Sequence, residues 1–422
     1  MNVGRFFGMA LEESFGELPE TPDWVYCDFS SEDLGPPDGQ YVMFEGATSR
    51  TPIYASPGNY VTEGTVAIPA DIVSLGYALL GALGNVESEK LEDGYSEWID
   101  TLDVDGEEAK FTIQLEEGET LTELIIESDT EGASYDEGAI TVSLEDSDYT
   151  AGDIETLIDG LAEVEEVTVE GGQESHRDNW LGTMDDFEEV ETDAIYKHTF
   201  SPADTLPTFT MAIGKELYQH NFGGLTFDTL NMEYENNFVV LGMGVIGGKD
   251  SKESDPADIG PCDLPESILT SVMSTFERDG TDITLDIEEF NLGIENNVEV
   301  DDAVPAASRY PAIAFLEQLN ISVEMDISFA DLDTLESYWG GEDGPTDEVE
   351  ETNIQISFVQ EEGKEEFTVT LPAAIAQNYS NPVEGRSRIT QSITYEAITS
   401  KEECKAIEVE LINSHESYEV SE

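Results

Sequence analysis

Gly242, Gly244 and Gly247 come after an apolar run at the spacing GxGxxG, the form of a phosphate-cradling loop. That chemistry needs a helix directly after the glycines, so that its first backbone N–H groups meet a pyrophosphate. Gly247 is succeeded instead by Gly248-Lys249-Asp250-Ser251-Lys252, then Pro256, Gly260 and Pro261. No helix begins there, and Asp250 stands where a phosphate loop has Ser or Thr. Residues 242–266 therefore read as a long Gly- and Pro-containing loop. Asp103, Asp105 and Gly106 hint at a calcium loop, but Thr101 and Thr112 occupy its first and twelfth positions, where carboxylates are required. Cys27, Cys262 and Cys404 are odd in number and widely spaced, and His176, His198, His220 and His415 have no metal-ligand spacing. Neither a disulfide framework nor a zinc site is indicated. Asn320 and Asn378 open glycosylation sequons, the first inside a predicted strand. No Ser-His-Asp or Cys-His grouping is readable, and carboxylates are too abundant for any one pair to signal acid–base catalysis. The expectation is no enzyme, no cofactor and no metal centre.

The carboxylates speak through their number. The 422 residues carry 95 Asp+Glu against 16 Lys+Arg, a formal net charge of −79, with the acids spread from end to end. Yet 39% of residues are apolar, so the chain can offset the entropy of ordering, which a disordered polyanion cannot. At molar salt the Debye length is about 3 Å, against about 8 Å at physiological salt, and carboxylate self-repulsion nearly vanishes. The composition points to an extreme halophile or a virus infecting one. The alternative, an acidic protein of an ordinary cell, usually gathers its charge in a block. With no basic patch the chain lacks the cations that grip phosphate, so DNA would pass by without sticking. There is no 18-residue apolar run, hence no expected membrane insertion. Met1–Ala10 is too short and too soon followed by acids for a secretory signal, which implies assembly in the cytoplasm.

The elements are mostly strands. Residues 48–69 read as strands broken by turns, and residues 71–83 as a helix, with Ile72, Leu75, Leu79, Leu80 and Leu83 on one face and Gly84 as its stop. Residues 86–193 form a dense acidic insert of α+β character, with strands at 110–115, 124–126, 140–144 and 164–169 and a helix at 153–161; its flanks at 87–95 and 171–193 look loop-like. From 195 onward, period-2 alternation recurs at 225–234, 283–287, 321–327, 354–358 and 407–411, the mark of sheets with one buried face. Glu361 to Lys364 reads as a hairpin turn. A faint repeat is present. Thr208 to Met211, a turn, and a strand ending Glu235-Asn236-Asn237 are echoed by Thr270 to Met273, a turn at Asp279-Gly280, and a strand ending Glu295-Asn296-Asn297.

Tyr196 to Phe200, Leu206 to Thr210 and Phe222 to Leu230 together resemble the tail tube (major tail) proteins of tailed viruses. Phe290 to Asn297 and residues 319–331 resemble that family's second half, and strand 64–68 with helix 71–83 its N-terminal part. The resemblance covers about two-thirds of the chain, and the insert has no counterpart in it. With the acid surplus, the nearest match is the tail tube protein of a haloarchaeal tailed virus.

The resemblance implies a mainly β tail-tube-type sandwich or barrel with a flanking helix, in two segments (1–85 and 194–422) around the inserted α+β domain (86–193). It implies a structural virion protein whose identical subunits close into hexameric rings. The rings stack into a hollow tail tube, together with other tail proteins, and viral DNA passes through the lumen. Amphipathic ribbons would then find their missing neighbours in other copies. Candidate inter-subunit positions are Leu225, Phe227, Leu230, Met232, Ile287, Phe290 and Leu292 on strands, and Gly242, Gly244, Gly247 and Lys249 on the 242–266 stacking loop. The insert is expected on the tube exterior. A β-domain cell-surface or adhesion protein of a halophile is the alternative; it requires a secretion signal and an anchor.

Overall fold

The computed structural model describes residues 5–35, 41–44, 51–92, 95–104, 107–115, 121, 123–128, 132–136, 139–144, 148–162, 164–171, 175–176, 180–184, 188–215, 217–254, 257, 259, 268–300, 304–305, 308–329, 332–341, 344–346, 349–361, 363–383 and 388–418. The fold is mainly β. The chain forms two compact units, residues 1–89 with 196–422, and residues 90–195.

The larger unit is organised around a 17-residue strand, Gln219–Glu235. Its alternation buries Phe222, Leu225, Phe227, Leu230 and Met232 on one side. It turns back through Asn236 and Asn237, both at positive φ, into Phe238–Glu253. Asn tolerates that backbone region better than most residues. On its other side the strand pairs first with Phe209–Gly214 and then with Ile287–Glu295. Ile287–Glu295 pairs in turn with Asn320–Ser328, and that strand with Thr390–Ala397. Beyond Phe238–Glu253 lies Thr62–Pro69. A second group of strands, Thr352–Glu361, Glu365–Ser380 and Glu408–Asn413, completes one continuous hydrophobic core with the first.

The helix Ile72–Leu83 lies in that core with nearly every residue buried. The Asp71 carboxylate accepts from the backbone N–H groups of Val73 and Ser74 at 3.0 and 2.8 Å, satisfying two of the four orphan donors at a helix start. Gly84, with φ 91°, ends it as the sequence predicts.

Residues 90–195 have a core of their own, which includes Trp98, Phe111, Ile126, Val142, Ile158 and Trp180. One four-stranded sheet runs Val164–Gly171, Glu107–Leu115, Tyr95–Val104, Glu188–Thr192. A second contains the parallel pair Glu123–Ser128 and Ala139–Leu144. Its helix, Ala151–Asp159, opens with a capping box between Thr150 and Asp153.

Three expectations are corrected. Residues 242–253 are strand, not loop, and most of 254–266 lies outside the described residues. The glycines permit this: a Cβ on Gly247 would sit 1.9 Å from the Gly224 carbonyl oxygen. Thr284–Asp286 is a 3-10 turn, so 283–286 is not strand; Ser271–Met273 is another, within the stretch 268–276 whose four-residue spacing of Ile268, Val272 and Phe276 also allows a helical turn. Thr284 is diverted by local bonding: its N–H donates to Asp282 Oδ1 at 2.9 Å, and its hydroxyl accepts from Phe276 N at 2.8 Å. The insert's loop-like flanks hold strands Gly84–Glu92 and Glu188–Thr192. The ribbons also find many of their neighbours within their own chain. The outer side of Thr62–Pro69 is bonded by residues 30–35; the short strands Val25–Cys27, Ser31–Glu32 and Thr281–Asp282 end the pairing at three margins, and the nine-residue Gly84–Glu92, paired only with Ile195–Pro202, ends it at a fourth among the described residues. Short edges discourage indiscriminate strand addition. The hint at Asp105 and Gly106 falls outside the described residues.

Candidate assembly surfaces

Two surfaces of the larger unit depart from the rest of the chain in chemistry. The first is the face of the sheet turned away from the core. Register places Gly242, Asn231, Gly293 and Ser322 in one row across four strands. Ala67 extends the row at one side and Glu396 at the other. Neighbouring rows on the same face carry Gly244, Asn291, Glu233, Glu324, Asp326, Ser392 and Thr394. The residues named on this face are small, polar or acidic, and none is Lys or Arg. A Cβ on Gly293 would lie 3.3 Å from Ser322 Oγ and 3.4 Å from Asn231 Oδ1, so only a residue without a side chain leaves the row this flat. Apart from Arg388 at one end, bonded to Ser328 and 3.3 Å from Glu288, such a face presents phosphate with like charge.

The second surface is poor in acids, with Glu45 the one carboxylate between the strands of its hairpin. Residues 46–62 and 303–316 contain no Asp or Glu, in a chain where 95 of 422 residues are acidic, and each segment holds one arginine, Arg50 and Arg309. Tyr41–Phe44 and Tyr54–Pro57 form a two-stranded antiparallel hairpin outside the main sheet. Tyr41, Val42, Met43 and Phe44 are 61–63% exposed and Tyr54 68%, on both faces of the ribbon. The second acid-free segment exposes Tyr310, Ile313 and Phe315. The two segments are stapled together. Tyr60 N donates to the Arg309 carbonyl at 2.6 Å, and Arg309 Nε donates to the Gly58 carbonyl at 2.9 Å. The Tyr60 and Tyr310 rings meet edge to face at 5.6 Å, with the Arg309 guanidinium 5.8 Å from the Tyr60 centroid. Tyr60 also donates from its hydroxyl to Asp250 Oδ1 at 2.6 Å, and His220 Nε2 lies 2.8 Å from Asp250 Oδ2. Burial alone would raise the Asp250 carboxyl; the bonds from Tyr60 and His220 outweigh it and hold the group below its usual range. Among the described residues, this apolar ribbon, exposed on both faces, has no packing partner.

A family model described as phage tail tube protein matches residues 4–397. The chain belongs to the phage tail tube protein family. It is therefore a structural protein of the virion tail, and its family implies assembly with identical subunits and other tail proteins. No curated protein matches the chain. No described helix is long and apolar enough to cross a membrane.

In this tail tube protein the residues singled out from sequence divide into two sets. Leu225, Phe227, Leu230, Met232, Phe290 and Leu292 are buried in the subunit's own core, with Ile287 packed against it. Gly242, Gly244 and Gly247 lie on Phe238–Glu253, which is paired on both sides there, and Lys249 is exposed near the end of that strand. Sequence reasoning missed the hairpin and the Tyr60–Arg309 staple. The absence of acid from 46–62 and 303–316 was the available signal.

Proposed function

We propose that copies of this chain close into hexameric rings, that the rings stack into the hollow tail tube of a virus infecting a halophile, and that viral DNA is delivered through the lumen. The polar and acidic sheet face, with Arg388 at its end held by Glu288, is the single observation that carries the conduit reading: turned inward, it would line the tube mostly with groups that neither bind nor snag a polyanion. Strands bearing Leu225, Phe227, Leu230, Met232, Ile287, Phe290 and Leu292 hold that wall from behind, their side chains in the core and their opposite face toward the lumen. The acid-poor patch supports the assembly reading. Subunits of charge −79 repel over most of their surface, and the exposed hairpin with the Arg309 segment is where two copies can meet with few opposing carboxylates, Glu45 being the one between the hairpin strands. The 90–195 unit belongs on the tube exterior, because six copies in the lumen would obstruct DNA.

The test is a pair of substitutions in the hairpin, Val42→Asp with Phe44→Asp. Both side chains are exposed, so circular dichroism should be unchanged while sedimentation shows loss of assembly. Assembly at wild-type concentration in the double variant would remove the hairpin from the reading.

A further inference from the structure

Eight strands of the larger unit lie side by side as two successive groups of four. The first group is residues 30–35, Thr62–Pro69, Phe238–Glu253 and Gln219–Glu235, each bonded to the next. The second is Ile287–Glu295, Asn320–Ser328, Thr390–Ala397 and Glu365–Ser380, bonded in that order. The groups match in detail. A helix follows the second strand of each, Ile72–Leu83 and Asp333–Trp339. The last strand of each is entered through a hairpin, from Phe209–Gly214 or from Thr352–Glu361. Each last strand then bulges against the third at the same place. Phe227 and Thr229 face Val245 and Gly244, while Ala376 and Asn378 face Tyr395 and Thr394. The registers of the third strands agree, since Val240 faces Pro69 and Thr390 faces Ser328. Each first strand leads into a separate two-stranded hairpin, Tyr41–Phe44 with Tyr54–Pro57 or Val298–Glu299 with Phe315–Leu316. The two hairpin loops share Ala-x-Ser-Arg-x-Pro, at 47–52 and 306–311. This repeat is separate from the Glu-Asn-Asn echo and spans most of the unit.

The groups are joined where the last strand of the first meets the first strand of the second, with Asn231 facing Gly293. The second hairpin folds back over this joint, bringing Arg309 and Tyr310 to Gly58 and Tyr60. The two outer margins of the eight strands are the counterparts of the two strands in the joint. At one margin, Glu365–Ser380 is flanked by Thr352–Glu361 only as far as Ala374, and no described strand lies on that side of Gln377 to Ser380. Residues 371–383 contain no Asp, Glu, Lys or Arg, and an uncharged edge invites strand addition. At the other margin, residues 30–35 bond through their backbone to Thr62–Pro69 alone among the described strands. Their acids are engaged: Glu32 pairs with Lys215 at 2.9 Å, and Asp33 Oδ1 accepts from Thr65 N.

We propose that the joint between copies repeats the joint between the two groups: residues 31–35 of one copy add to the free side of Gln377 to Ser380 of the next, and the hairpin Tyr41–Pro57 folds over residues 317–319 of that neighbour. The matched registers carry Gly293 to Gly35, Asn231 to Ser380, and Gly58 and Tyr60 to Glu317 and Leu319. This inference rests on the reading that copies close into rings, and it names what covers the exposed hairpin. Each copy then brings two equivalent groups to the ring. The two margins differ, so the contact is heterologous and passes from copy to copy around the ring. Pro36 and Pro37 take the places of Ile294 and Glu295 and have no N–H to donate. The ladder between copies is therefore shorter than the one within the chain, and it opens without unfolding the subunit.

The test is cross-linking of full-length chains in a Cys262→Ser, Cys404→Ser background, where the remaining Cys27 is buried. A Cβ on Gly35 would meet nothing closer than 3.9 Å, and Ser380 is exposed, so a cysteine fits at either place. Chains carrying Gly35→Cys are mixed with chains carrying Ser380→Cys in concentrated KCl and treated with a short bismaleimide. The expected product is a covalent pair in the mixture and in neither sample alone, with a ladder of higher oligomers when one chain carries both cysteines. In parallel, amide hydrogen exchange of the unsubstituted chain should slow at 377–380 when rings form. If electron microscopy shows rings, yet no cross-link appears and exchange at 377–380 is unchanged, the joint lies elsewhere and the ring reading stands. If the unsubstituted chain forms no rings at any salt concentration, both fail.

Discussion

Gly76 and Tyr418 are matched void and filling. A Cβ on Gly76 would lie 2.0 Å from Tyr418 Cζ, and the Tyr418 ring is fully buried against the helix that carries the glycine. The last described residues of the chain thus form a latch over helix Ile72–Leu83, held by Asn413. The Asn413 amide donates to the Ile72 carbonyl at 3.2 Å and to Tyr418 Oη at 2.7 Å, and its Oδ1 accepts from His415 N at 2.9 Å. Replacing Gly76 by Ala should overpack this site and cost about 1–3 kcal/mol. Tyr418→Ala should cost about 3–5 kcal/mol through the cavity it leaves. Denaturant unfolding checks both. The two changes share one space, so the double variant should be less destabilised than the sum of the singles.

The latch is also where acid acts. His198 is completely buried, with Nε2 3.2 Å from Asn413 Oδ1 and 2.9 Å from the His415 carbonyl oxygen, and Nδ1 2.8 Å from Ser88 Oγ. Both partners of Nε2 are acceptors, so Nε2 carries the proton of the neutral ring and Nδ1 accepts from Ser88. Burial lowers the pKa of His198, and likewise of His415, whose Nε2 is 3.3 Å from the Tyr77 hydroxyl that donates to Asp23. A histidine depressed in the folded state is protonated first in the unfolded one. Stability is therefore whole above the unfolded value of about 6.5 and falls as pH drops below it. Melting temperature should decline from pH 7.5 to pH 5, and His198→Gln should flatten that decline. A slope unchanged by the substitution would assign the acid sensitivity to other groups.

The sheet face proposed for the lumen predicts a gain of function. Glu324 and Asp326 carry its charge on the middle of Asn320–Ser328. Glu324→Lys with Asp326→Lys would supply phosphate partners along the whole tube. The variant tubes should retain DNA on sedimentation, in a salt-dependent way, where the unsubstituted tubes release it. Equal behaviour of the two would place this face elsewhere than the lumen.

Much of this architecture could be read from residue order. Helix Ile72–Leu83 was marked by its apolar spacing between Asp71 and Gly84, and strands 320–328 and 352–361 by strict alternation. The repeated Glu-Asn-Asn turns proved informative in space. Met232 and Leu292 occupy matching places before those turns, and they are direct partners in the antiparallel register, so the two copies lie side by side about a local two-fold axis. Asn237 and Asn297 both adopt positive φ in the turns at the strand ends. The features that stayed hidden depend on distance along the chain or on backbone crowding. Residues 242–253 carry glycines and charges that look like loop until Gly224 is seen pressed against Gly247. The Tyr60–Arg309 staple and the Asn413–Ile72 bond join residues hundreds of positions apart. The Leu285 turn replaces a perfect alternation because Asp282 and Phe276 capture Thr284.

Assembly itself is best checked by electron microscopy of the purified full chain in negative stain, first in concentrated KCl and then after dilution. Rings and hollow tubes are expected at high salt. They should dissociate below roughly 0.5 M, where the Debye length grows and carboxylates on neighbouring copies repel again. Single compact particles at every protein and salt concentration would contradict a tube built from this chain.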